Sequence, residues 1–168
     1  MKYAKIKDND VANGMGITMS VWTQGCPHHC KGCFNEETWN FEDGEEFTKI
    51  QLQYVLDNID KNGVKRNLAI LGGEPLCPQN VDGVLELCKE FKRSYPNKKI
   101  YLWSGYLYNE FNDIQKKVIE YVDILVDGPF QIENKNLSLT LRGSSNQRVI
   151  DVKETLKNNE IILSPIED

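Results

Sequence analysis

Three cysteines, Cys26, Cys30 and Cys33, fall within the stretch Gln24-Gly25-Cys26-Pro27-His28-His29-Cys30-Lys31-Gly32-Cys33-Phe34-Asn35, directly after an apolar run. Thiolates at this density ask for a metal. The spacing C-x3-C-x2-C suits a 4Fe-4S cluster with three irons held by protein and the fourth left open, because clusters held only by protein normally use four cysteines. An open iron is a place where chemistry can happen. The competing reading is structural zinc, with His28 or His29 completing a Cys3His tetrahedron. Pro27 disfavours helix at Cys26, and Gly25 and Gly32 permit tight backbone, so the thiolates sit on a wrapped loop.

The rest of the chain alternates between two periodicities. Gly16 to Thr23 alternates apolar and polar residues and predicts a half-buried first strand running into the cysteine loop, after a polar start. Thr48 can cap a helix through about Asn62, with Ile50, Tyr54, Val55 and Ile59 near one face and Gly63 as a stop. Leu68-Ala69-Ile70-Leu71 predicts a buried strand ending in Gly72-Gly73-Glu74-Pro75. Val81, Val84, Leu85, Cys88 and Phe91 recur at helical spacing before Pro96. Ile100 to Trp103 predicts a third strand, stopped by Ser104-Gly105-Tyr106. Phe111, Ile114, Val118 and Val122 mark another helix, and Ile124 to Val126 another strand before Asp127-Gly128-Pro129-Phe130.

Strands alternating with helices read as βα units on a parallel sheet, and ligands collect at the carboxyl ends of such strands. The cysteine loop and the three segments beginning at Gly72, Trp103 and Asp127 therefore share one rim. Leu137 to Leu141, a turn at Gly143-Ser144-Ser145-Asn146, and Gln147 to Ile150 predict a late extended pair.

On that rim, Gly72 and Gly73 let backbone approach a ligand, and Glu74 suits a ligand ammonium. Taken alone, such a Gly-Gly turn is also an ordinary loop. Ser104 and Gly105 offer a hydroxyl and open backbone, and Asp127 either meets a polar part of a cofactor or caps the turn before Pro129, the turn being the favoured reading. Arg142 to Arg148 is rich in hydrogen-bonding groups for a hairpin tip. Either histidine of the loop can tune a cluster from outside its ligand set or simply be solvated. Cys88 lies on its helix's apolar stripe and Cys77 precedes Pro78, so both read as structural thiols, with redox reactivity the alternative for Cys77. Trp39 and Trp103 read as packing residues.

Composition narrows the classes. The chain has 168 residues, enough for one domain over 1–168 that buries roughly 70% of its unfolded surface. With 27% charged and 40% hydrophobic residues it is ordinary globular material. A net charge of -5 without a basic block argues against nucleic-acid binding. No signal peptide and no run of about 18 apolar residues is visible, so the expectation is a cytosolic protein off the membrane. Five cysteines, an odd number grouped three, one and one, do not form a disulfide framework. The sequence shows no internal repeat, low-complexity tract or linker.

The cysteine spacing resembles that of the radical S-adenosylmethionine (SAM) enzymes. More narrowly, the form C-x-H-x-C-x-G-C-[FY]-N from Cys26 to Asn35 is similar to that of the activases of anaerobic ribonucleoside-triphosphate reductase. Gly32 fits this narrower family, since an aromatic usually stands there in the superfamily. His28 matches the family's histidine, and Arg-Gly-Ser-Ser-Asn-Gln at 142–147 is similar to a run in its C-terminal part. The likeness extends from Val11-Ala12-Asn13-Gly14 to Gln147.

This resemblance implies an α/β fold, an incomplete (β/α) barrel of the radical SAM type with parallel strands. It implies a 4Fe-4S cluster on Cys26, Cys30 and Cys33, with the open iron chelating SAM, and SAM contacts from Gly32, Cys33, Phe34, Gly72, Gly73, Glu74, Ser104, Gly105 and Arg142. Arg142 would hold the carboxylate of SAM or dock the partner. No catalytic side chain is expected beyond the cluster and cofactor. The implied reaction is reductive cleavage of SAM to methionine and a 5′-deoxyadenosyl radical. That radical takes hydrogen from a glycine of the reductase, with an external one-electron donor such as flavodoxin. Activation of another glycyl-radical enzyme such as pyruvate formate-lyase is the alternative within the class. An iron-sulfur electron carrier and a zinc-stabilised interaction module are the alternatives outside it.

Overall fold

Repetition of the βα unit produces a parallel ladder of four strands: β2 (Thr18–Thr23), β4 (Asn67–Gly72), β5 (Ile100–Ser104) and β6 (Ile124–Asp127). The numbering follows a computed structural model that describes residues 1–166. Antiparallel strands flank the ladder. On one side lie β1 (Lys2–Asp10) and the two-residue β3 (Glu45–Glu46), and on the other β7 (Arg148–Asp151). The order is β3-β1-β2-β4-β5-β6-β7, an open mixed sheet that does not close on itself.

The first expected strand is thus the second. In sequence Lys2–Asp10 reads as a polar start, because its lysines, aspartates and Asn9 leave only Tyr3, Ala4 and Ile6 as less polar residues. Charged side chains on a strand near a sheet margin discourage pairing with other chains. Two register shifts bend β1 along β2.

Helices α1 (Lys49–Asn58), α2 (Val81–Ser94), α3 (Asp113–Ile119) and α4 (Val152–Asn158) complete the chain. Thr48 and Gln51 form a capping box on α1, as Asn112 and Gln115 do on α3, each satisfying amides that the first turn leaves without partners. The apolar stripe of α1 is rotated from expectation. Ile50 is 77% exposed and Tyr54 is also open, whereas Val55 and Ile59 are buried with Leu52 and Leu56 packed beside them. Tyr54 instead donates to the Asp8 carboxylate. In α2, Val81, Val84, Leu87, Cys88 and Phe91 are buried, and Leu85 packs at their edge. Fully burying an aliphatic or aromatic side chain of this kind stabilises by about 1.5–3 kcal/mol. Phe111 and Val122 are buried outside α3, which is shorter than the pattern suggested.

The predicted late pair does not form. Only Arg148–Asp151 is a strand, and it pairs antiparallel with β6, while residues 137–147 turn back over the sheet. The short helix α4 was not anticipated.

Alternation along the strands separates two faces. Met19, Val21, Leu68, Ile70, Ile100, Leu102, Leu125 and Ile150 join the helices in one large core. Trp22, Ala69, Leu71, Tyr101, Ile124, Val126 and Val149 form a second, smaller cluster with Trp103, Leu141 and Ile166 against it, and no helical residue takes part. Loops cover this second face.

Candidate active site

The rim expected from the sequence exists. Loops after β2, β4, β5 and β6 surround a cavity of about 360 Å³ that opens over the second face of the sheet. Cys26, Cys30, Cys33 and Phe34 line it from the first loop, Gly72, Gly73 and Glu74 from the second, Ser104 and Gly105 from the third, and Gly128 and Phe130 from the fourth. Arg142 lines it from the returning segment. Gly32 does not. Its φ of +76° turns the loop, and a Cβ there would come within 2.3 Å of Ile132 Cδ1.

Backbone bonds clasp the first two loops together. Gly73 N–H donates to Thr23 O at 2.9 Å and Glu74 N–H to Gly25 O at 2.8 Å. Gly25 N–H and Cys26 N–H donate in turn to Thr38 O (2.7 Å) and Trp39 O (3.1 Å). The approach is so close that a Cβ at Gly73 would lie 2.3 Å from Gly25 O. This contact, rather than a positive φ, is what requires the absent side chain at 73. The six-residue parallel register of β2 with β4, Thr18–Asn67 to Thr23–Gly72, delivers both loops to one level.

Glu74 is 1% exposed and its carboxylate is fully engaged. Oε1 accepts from Leu76 N–H (2.9 Å) and Ser104 O–H (2.8 Å), and Oε2 accepts from Gly105 N–H (2.7 Å) and lies 2.8 Å from His28 Nε2. Against a carboxylate oxygen, Nε2 is the nitrogen that carries the hydrogen. His29 faces elsewhere. Its φ of 49° reverses the chain, and its ring stacks on Trp39 at 4.5 Å between centroids.

Burial pushes the Cys26 thiol up to about 11 and also raises Cys30, with the nearby Glu74 adding to both. Without a cation these thiols hold their protons. Binding a metal removes them, which couples metal uptake to proton release. Among the described residues no three His, Cys, Asp or Glu side chains converge on a single point as one metal ion would need. A four-iron cluster takes one thiolate per iron, so its ligands need no such convergence. The donor set therefore fits such a cluster, and Trp39 adds to the fit. It lines the cavity, and its buried indole N–H finds no acceptor among the described residues.

The segment 142–147 is not a solvated tip. Gln147 Oε1 accepts from Gly143 and Ser144 N–H, its Nε2 donates to Gly128 O, and Asn146 donates to Pro129 O. Arg142 donates to Gln147 O at 3.1 Å. Asp127 does not cap the turn before Pro129 as expected: its carboxylate accepts from Tyr108 N–H and pairs with Arg148, which ties β6 to the loop after β5 and to β7. Cys77 and Cys88 are buried away from the cavity wall, with burial raising their thiols to about 11 and about 12. Trp103 packs as expected, and its Nε1 also donates to Leu141 O at 2.7 Å, tying the returning segment over the sheet.

Sequence reasoning missed two parts of the wall. Ala12 and Asn13 reach the cavity from the β1–β2 loop, where Asp10 accepts from Ala12 N–H and the Asn13 amide. Leu139 and Leu141 reach it from the segment after β6. The Val11-Ala12-Asn13-Gly14 run was the one available signal for the first. None existed for the second.

A sequence family described as a 4Fe-4S single cluster domain matches residues 12–150. The anaerobic ribonucleoside-triphosphate reductase-activating protein of Escherichia coli (strain K12) is 37% identical over 150 residues, covering 89% of this chain and 97% of that protein. The protein of the same name from Haemophilus influenzae is 37% identical over 148 residues, covering 88% and 96%. That of Enterobacteria phage T4 is 36% identical over 150 residues, covering 89% and 93%. This chain belongs to the anaerobic ribonucleoside-triphosphate reductase-activating protein family. As a member of that family it carries a 4Fe-4S cluster domain, and the matched region contains the cysteine loop, the Glu74 turn and the Arg142 segment together. No helix among the described residues of this activating-protein homologue is long and apolar enough to cross a membrane.

Proposed function

We propose that this protein is an iron-sulfur activating enzyme whose target is an anaerobic ribonucleoside-triphosphate reductase, and that it works through SAM. The carrying observation is the clasp between the cysteine loop and the Glu74 turn, which sets three thiols and a buried carboxylate on one cavity. In this reading Cys26, Cys30 and Cys33 hold the cluster and leave one iron open for SAM. Glu74 receives the amino group of the methionine part, Gly72 and Gly73 allow the close approach, and Ser104 and Gly105 hold the Glu74 carboxylate. Cys33 and Phe34 flank the cofactor, and Arg142 serves its carboxylate or the partner. The open sheet is read as an incomplete radical SAM barrel, with the chain acting as one domain.

When bound, cluster and SAM supply a one-electron reductive cleavage of the sulfonium and with it the power to take hydrogen from a backbone glycine. The protein's residues orient the cofactor and exclude water. Electrons would come from an external donor such as flavodoxin. Among the described residues no helix covers the second sheet face, which suits a macromolecular substrate that completes the site from outside.

The test is anaerobic reconstitution followed by addition of reductant, SAM and the reductase. A glycyl-radical resonance on the reductase together with 5′-deoxyadenosine is the expected result. An intact cluster that yields neither overturns the reading.

A further inference from the structure

Glu74 has no free acceptor position. A carboxylate offers about four lone-pair sites, and all are occupied: two by backbone amides of Leu76 and Gly105, one by the Ser104 hydroxyl and one by His28. An amino group arriving at Glu74 must therefore displace a donor. The two amides are fixed in the backbone. Ser104 is buried, and its oxygen also accepts from Tyr106 N–H at 3.1 Å, which ties it in place.

His28 is different. Its side chain is 19% exposed against 1% for Glu74, and its ring leans edge-on against Tyr106 at 4.6 Å and over the bare Cα of Gly105, where a Cβ would meet it at 2.5 Å. It comes from the wrapped loop between Cys26 and Cys30 and lines the same cavity.

We infer that His28 is a positioning residue that keeps the place of the ligand's amino group on Glu74 and gives it up when SAM binds. The inference rests on the reading of Glu74 given above. With the cavity empty, the histidine satisfies a buried carboxylate that would otherwise lack one of its partners, an arrangement that is costly to leave unmade. When the ligand arrives, one charged hydrogen bond is exchanged for another, so the site selects an ammonium without leaving a bare buried charge in the resting state.

The test is the affinity of the reconstituted protein for SAM, measured by equilibrium dialysis with the cluster oxidised and no reductant, so that no turnover occurs. His28→Ala removes the competitor, and SAM should bind roughly fivefold to tenfold more tightly, the scale of an ordinary net hydrogen bond. His28→Gln restores an N–H and should return the affinity toward that of the parent. In a Glu74→Gln background, which should itself bind SAM more weakly, His28→Ala should add nothing, as the two residues act as one pair. Unchanged or weaker binding by His28→Ala, with Glu74→Gln still weakened, overturns the place-holder and leaves the Glu74 reading standing. Unchanged binding in both variants overturns both.

Should His28→Ala fail to hold iron, the parent protein answers the question, because His28 and His29 are its only histidines. With ¹⁵N-labelled histidine, saturating SAM should move the His28 Nε2 resonance away from its carboxylate-bonded position. A resonance that stays in place overturns the inference.

Discussion

The two faces of the sheet are built on opposite plans. One is sealed by four helices over a continuous apolar core of strand and helix residues. The other carries a smaller cluster of aromatic and branched side chains under loops alone, with a cavity above it. Polar groups follow the same division. At the amino ends of the strands, Arg66 is buried and spends its guanidinium on Asp8 O, Asn9 Oδ1 and carbonyls at the end of α1, a set of bonds that fastens the helix layer to the sheet. At the carboxyl ends, Glu74 is just as buried, yet one of its partners is a partly exposed histidine. Burial serves stability in the first case and, in the function proposed above, a binding site in the second.

Substitutions on each face should therefore have separable effects. The largest is expected from Cys30→Ala, which should abolish both the iron-sulfur absorbance and 5′-deoxyadenosine formation while moving the apoprotein's thermal midpoint little. A large fall in that midpoint would mean the site face also carries the fold. Phe91→Ala on the helical face should do the reverse, costing about 3–5 kcal/mol in denaturant unfolding while iron content per folded molecule stays at the parent value.

A smaller effect is expected at Asp123. Burial opposes its charge, but Lys92, the Ile100 N–H and Lys153 outweigh it and hold the carboxyl below its ordinary value of 3.8. A depressed folded value adds stability that is present above the unfolded value and lost as the pH falls through the folded one. Asp123→Asn should thus be about 1–3 kcal/mol less stable than the parent at pH 7, and the gap should close as unfolding is followed below pH 4. A gap that persists at lower pH would separate Asp123 from its ionic partners. The mildest change is Trp103→Phe, which keeps an aromatic ring against the second cluster but removes the bond to Leu141 O and the outer part of the indole. It should cost about 1 kcal/mol yet weaken SAM binding measurably if, as proposed, Arg142 on the returning segment serves SAM.

How much of this was legible in the sequence follows the same division. Helix stripes such as Val81 to Phe91 and the runs of β4, β5 and β6 are readable because burial on the helical face imposes periodicity. The cysteine loop and the Gly72-Gly73-Glu74 turn are readable because metal and backbone chemistry restrict residue type. Strand β1 was hidden because a marginal strand needs no apolar alternation, and the face of α1 was misjudged because Tyr54 is held by Asp8 rather than by the core. Leucines at 137, 139 and 141 mimic a strand, but Leu137 is open while Leu139 and Leu141 line the cavity. Alternation cannot tell a sheet pleat from a loop laid over a cavity. Nor can it show that adjacent histidines face opposite ways, since that depends on the left-handed turn at His29.

The clasp between the cysteine loop and the Glu74 turn consists of amides and carbonyls, with no sulfur and no oxidisable side chain in it. Damage by oxygen that strips the iron would leave those bonds standing. The apoprotein would then keep its ligand turn in register, so that iron and sulfide meet a loop already held in place.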